Sequence, residues 1–166
     1  MSKKYLIIAM VAVIATLFIA AGIYAGTEVK DEIVMENKAY DKHTKSVQTF
    51  THMKHAKEYA EKNPDLYKLA CGECHHEDED GKSKPLTDLK EGDEVKNCIE
   101  CHKIAGFITG KKAKGLAKEK KREYHGNAIH DNCKGCHKKF NKKMKLKAKD
   151  EKAAPTTCKQ CHPKKK

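Results

Sequence analysis

The chain has no tryptophan, and its ten other aromatic residues are six tyrosines and four phenylalanines among 166 residues. Large aromatic rings supply most of the buried area in an ordinary core, so their scarcity argues against one. Charged residues reach 35%. Such a composition has little apolar area to offset the entropy of ordering the backbone. Taken alone, the lysine-rich stretches read as disordered. No long strand pattern is present either, which disfavours a sheet-built domain.

One long apolar run exists. After Met1-Ser2-Lys3-Lys4 the chain is apolar from Tyr5 to Gly26 and carries no charge there. A basic start followed by such a run marks export. A cleaved signal has an apolar core of about 7–15 residues, whereas a spanning helix needs about 20. Residues 5–26 therefore read either as a signal peptide cut after Ala25 or as an uncleaved membrane anchor. The lysines before the run favour an N-terminus kept in the cytoplasm. In both cases Thr27 onward lies outside. The expected organisation is a signal or anchor over 1–26, a linker over 27–45 and one small domain over 46–166.

All eight cysteines fall into one repeated pattern: Cys71-Gly-Glu-Cys74-His75, Cys98-Ile-Glu-Cys101-His102, Cys133-Lys-Gly-Cys136-His137 and Cys158-Lys-Gln-Cys161-His162. This is the attachment spacing of c-type haem. Two thiols two residues apart reach the two vinyl groups of one porphyrin, and the adjacent histidine lies under the iron. Paired cysteines also occur in zinc ribbons and redox dithiols, but neither needs a histidine after every second cysteine. The reading is four covalent haems, with His75, His102, His137 and His162 as proximal ligands.

Four porphyrins supply the apolar faces that the composition lacks. The expected fold is small, mainly helical and irregular, wrapped around four covalent haems, with few short strands. The motif spacings of 27, 35 and 25 residues are unequal and exclude a solenoid. His52–Leu69 reads as helix interrupted at Asn63-Pro64, and the lysine-rich stretches 112–125 and 140–153 read as surface helices. Residues 77–97 read as loop.

The sixth iron ligand sets the chemistry: methionine raises the potential, and an open position admits substrate. Beyond residue 26 there are three methionines, Met35, Met53 and Met144, and six histidines outside the motifs, His43, His52, His55, His76, His125 and His130. Six candidates for four positions favour four closed, bis-histidine irons. His52 and His55 are three apart and share one side of a helical turn. His76 directly follows His75, so the two side chains diverge toward different haems.

This arrangement resembles the tetrahaem class III cytochromes c of sulfate- and metal-reducing bacteria. The resemblance spans roughly Val47 to His162. It rests on Phe50-Thr51-His52-Met53-Lys54-His55, on His75-His76 ending the first motif, and on the histidine between the second and third motifs. Numbering haems by order of attachment, it implies His75 with His52 on haem one and His102 with His76 on haem two. It likewise implies His137 with His55 on haem three and His162 with His130 on haem four, with Phe50 packed between haems. His125 is a rival for haem four and His43 for one of the first roles. The chain departs from many members in keeping two residues between the cysteines at every motif, and Lys103–Tyr124 has no clear counterpart.

Charge is uneven. Residues 27–102 hold 12 basic and 18 acidic side chains, a net of −6; residues 103–166 hold 21 and 5, a net of +16. Lysines keep a cofactor-rich protein soluble, and a basic face also steers an acidic redox partner. Nucleic acid is a poor match outside the cytoplasm. The expected function is an exported low-potential electron carrier, not an enzyme. The resemblance implies partners such as a hydrogenase, a formate dehydrogenase or a membrane electron-transfer complex. The rival readings are a reductase of metal ions or oxyanions with one open haem, and a zinc-binding interaction module.

Overall fold

Strand β1 (Glu32–Val34) pairs antiparallel with β2 (Thr49–Thr51), placing Ile33 opposite Phe50, in a computed structural model that describes residues 29–164. β-branched and aromatic residues suit this pleated contact. Met35 N–H donates to the Gln48 carbonyl at 2.7 Å and Met53 N–H to Asp31 at 3.3 Å, continuing the ladder at both ends. β1 lies inside the segment read as linker. The apolar run Tyr5–Gly26, with the choice between signal and anchor, lies outside the described residues. Among the described residues no helix is long and apolar enough to cross a membrane. One compact unit contains residues 30–90 and 95–166; of the other, residues 1–29 and 91–94, only Val29 and Glu91–Glu94 are described.

After β2 the chain enters a π-helical turn, Lys54–Tyr59, which tightens into helix α1 (Ala60–Lys62). The helical stretch is interrupted at Asn63-Pro64, as the sequence leads one to expect. Pro64 has no N–H to continue it and disfavours helical backbone at Asn63, and only a 3-10 turn, Pro64–Leu66, follows. The expected loop over 77–97 needs correction at its start, because β3 (His76–Glu79) and β4 (Lys82–Pro85) form an exposed hairpin. Its turn is Asp80-Gly81, with φ of 54° and 75°, and both positions favour such residues in a tight hairpin.

Two expected surface helices also shift. A 3-10 turn, Gly110–Ala113, and α3 (Lys118–Arg122) occupy the first stretch. The second is turn rather than helix beyond Lys143, and the long helix is α4 (His125–Lys143), which carries the third motif. Helix α2 (Cys98–Cys101) and helix α5 (Cys158–Cys161) are single turns.

Polar clamps dock these pieces. The backbone N–H groups of His125 and Gly126 donate to the carbonyls of Ile104 and Gly106 at 2.9 and 2.8 Å. The Asn127 side chain bonds both backbone groups of Ile108, at 2.8 and 3.0 Å. Asn141 does the same for Ala154, at 2.8 Å each way. Each amide completes a half-buried loop as a neighbouring strand would.

Among the described residues no hydrophobic side chain is buried, and the polar residues that are buried are His125 and Asn141. Phe107 and Met144 are more than half exposed. The polypeptide alone does not close a core. A Cβ at Gly126 would stand 2.6 Å from the Gly106 carbonyl oxygen. Alanine normally gains about 1 kcal/mol over glycine in a helix, but overpacking against fixed backbone costs about 1–3 kcal/mol. Gly126→Ala is therefore expected to destabilise the haem-loaded protein by up to about 2 kcal/mol, read as a lowered thermal midpoint. The haem-free chain, made in a host without haem attachment, is expected to show a coil-like far-ultraviolet spectrum and no cooperative melt.

Candidate haem-ligand constellation

The second and fourth motifs are built alike. Asn97 and Glu100 form a capping box that starts α2 at Cys98, with Glu100 accepting from Asn97 N–H at 2.6 Å. Thr157 and Gln160 start α5 at Cys158 in the same way. A cap satisfies helix donors that lack internal partners, and one turn sets residues three apart on the same side. Both cysteines of each motif thus share a face. The third motif gains the same arrangement within α4. The first sits in a 3-10 turn, Ala70–Glu73, whose Gly72 packs so closely that a Cβ would meet Pro85 at 3.1 Å and Leu86 at 3.2 Å. Leu86 N–H donating to the His75 carbonyl at 2.9 Å ties this turn to the hairpin.

Each candidate distal ring faces one motif histidine. The centroid separations are 6.2 Å for His52 and His75, 6.1 Å for His76 and His102, 6.3 Å for His55 and His137, and 6.0 Å for His130 and His162. Imidazole nitrogen bonds a first-row metal at about 2 Å and the ring centre lies roughly 1 Å further back, so opposed rings sharing one ion stand about 6 Å apart. The residues present fit four six-coordinate irons. They do not fit zinc: among the described residues no three histidine, cysteine, aspartate or glutamate side chains converge on a common point, whereas a structural zinc takes four.

Hydrogen bonds orient five of the rings. The Nδ1–H of His102 donates to the Arg122 carbonyl at 2.6 Å, that of His137 to Pro155 at 2.8 Å and that of His162 to Ser46 at 2.8 Å. His55 and His130 donate to the carbonyls of Thr51 and Gly126, each four residues earlier. A proton fixed on Nδ1 leaves Nε2 as the lone-pair nitrogen, the form in which histidine binds metal. Burial holds His75 and His137 below the usual imidazole range and so favours the neutral ring. Burial pushes the thiols of Cys136 and Cys161 up, away from the thiolate that a redox dithiol needs.

The rings of the two rival histidines both contact Tyr40. Tyr40 stands between them, stacked on His43 with centroids 5.1 Å apart and sharing a 2.9 Å hydrogen bond with His125 Nδ1. Burial lowers the pKa of His125. His43 also lines an open cleft with Ser46, Val47 and His162. The sequence reading had no place for Tyr40, Asn127 or Asn141, whose partners lie across turns or far along the chain. The caps were readable as Asn97-x-x-Glu100 and Thr157-x-x-Gln160.

Phe50 touches the rings of both His52 and His55, at 5.9 and 4.6 Å. Phe50→Ala is expected to destabilise the haem-loaded protein by about 2 kcal/mol. In its paramagnetic NMR spectrum the haem methyl signals of two of the four haems should move, and those of the other two should stay.

No curated protein and no solved structure matches the chain. A family model described as the class III cytochrome C family matches residues 28–162, a span that begins ahead of β1 and ends on the last motif histidine. The eight cysteines then account for four covalent c-type haems. The chain belongs to the class III cytochrome c family, whose members are multihaem electron carriers.

Proposed function

We propose that this protein is an exported, low-potential electron carrier whose four haems are each closed by two histidines: His75 and His52, His102 and His76, His137 and His55, His162 and His130. The observation that carries this reading is the common 6.0–6.3 Å separation of the four ring pairs. Bound haem supplies reversible one-electron chemistry, and two imidazoles without methionine favour the low end of its potential range.

The chain's own residues set the order of the relay. His75 and His76 are consecutive, so sites one and two adjoin. His52 and His55 flank one turn, with Phe50 against both rings, so sites one and three adjoin. His130 and His137 lie two turns apart on α4, so sites three and four adjoin. The resulting sequence is two, one, three, four. Its first part lies in the acidic stretch of the chain and its last part in the basic stretch. The lysines of residues 103–166 steer an acidic redox partner toward site four; a hydrogenase, a formate dehydrogenase or a membrane electron-transfer complex suits that role. Residues 5–26 either deliver the domain to the periplasm and are removed, or hold it on the outer face of the cytoplasmic membrane.

Protein from a host that matures c-type cytochromes should contain four haems per chain by pyridine haemochrome assay. Every iron should be low-spin by electron paramagnetic resonance, and His130→Ala should convert one of the four to high spin. A high-spin iron in the unaltered protein would contradict the closed reading, and intact mass would decide between signal and anchor.

A further inference from the structure

The four ring pairs are not held alike. In the pairs His55/His137 and His130/His162, both Nδ1 atoms donate to backbone carbonyls. In His76/His102 one does. Among the described residues neither ring of His52/His75 has such an acceptor, and His52 Nδ1 is the buried side-chain polar atom left without any partner.

The cause is local. His55 and His130 use the carbonyl four residues earlier, which a helical turn places beneath the ring. For His52 that carbonyl belongs to Gln48, which lies on extended chain and accepts from Met35 N–H at 2.7 Å. The Thr51 carbonyl beside it is taken by His55 at 2.8 Å. His52 also sits at the entry to the π-helical turn Lys54–Tyr59, a rare conformation frequent at functional sites.

An acceptor on Nδ1 fixes a ligand ring and strengthens its donation to the metal. A buried N–H without one costs free energy, and the cost is relieved when the ring turns out to water. We infer that His52 is a releasable ligand and that site one binds a neutral diatomic π-acceptor, of the carbon monoxide or nitric oxide class, on the reduced iron. This rests on the four-pair reading above. The exchange is balanced: the bond from iron to His52 breaks, the bond to the diatomic forms, and no electron or proton changes hands with the iron.

The test adds carbon monoxide to the fully reduced, haem-loaded protein and follows the visible spectrum by stopped flow. Uptake of one equivalent per chain is expected, in a slow phase whose rate levels off with carbon monoxide concentration because ring release limits it. In His52→Ala one equivalent should still bind, now in a fast phase proportional to concentration, with the slow phase gone. In His130→Ala a fast phase should appear beside a persisting slow one. Should His52→Ala fail to mature, His52→Met should alter the slow rate. Absence of uptake in the unaltered protein, or a slow phase unchanged by replacing His52, would overturn the inference. High-spin iron before any carbon monoxide is added would overturn the four-pair reading, and this one with it.

Discussion

The separation between facing imidazole rings, 6.0–6.3 Å in all four pairs, is the constraint on which the rest of the structure depends. A shared metal ion admits little variation in that distance. In the proposed four-pair arrangement the polypeptide delivers eight rings, from residues as far apart as His52, just after β2, and His162, just after α5, to within a few tenths of an ångström. An ordinary domain would reach such precision through a packed apolar core. Here no hydrophobic side chain is buried among the described residues, and the positioning passes to directional bonds: capping boxes under two motifs, asparagine clamps at Ile108 and Ala154, and carbonyls beneath five histidines.

That substitution explains the odd composition. A chain with 35% charged residues solvates its outside while the cofactors supply apolar faces within. The exposed ion pairs add little of their own. Lys62–Glu58, Lys120–Glu123 and Arg122–Asp131 are solvent-facing contacts, a class worth about 0–1 kcal/mol each. Their lysines matter more for the field they create than for the fold they join. Stability thus resides in covalent attachment and ligation, as in other small domains stapled by metals.

The parts of this architecture that were legible in the sequence are those written in local spacing. Cys-x-x-Cys-His names cofactor and count because both thiols and one ligand fall within five residues. The distal candidates emerged from counting histidines against irons, since few other side chains can serve. The hairpin at Asp80-Gly81 was readable but hidden in an acidic stretch that resembles loop. Helix α4 was harder: Gly126, Asn127, Asn132 and Gly135 all lower helix propensity, and the helix exists because its clamps and motif hold it. The Tyr40–His125 contact joins residues 85 positions apart, and no local pattern announces such a pair.

The same distinction between local and distant acceptors separates the four sites in character. A distal histidine inside a helix finds a carbonyl four residues back without any special arrangement, as His55 and His130 do. The histidine that begins the helix cannot, because the backbone behind it is still strand. His52 occupies that position, one residue after β2 ends at Thr51, and Phe50, inside β2, reaches both neighbouring rings. Packing Phe50 between two sites and anchoring His52 are therefore competing demands on the same three residues. The fold meets the first and leaves the second unmet, and on this the proposed exchange at site one and the proposed relay through it both rest.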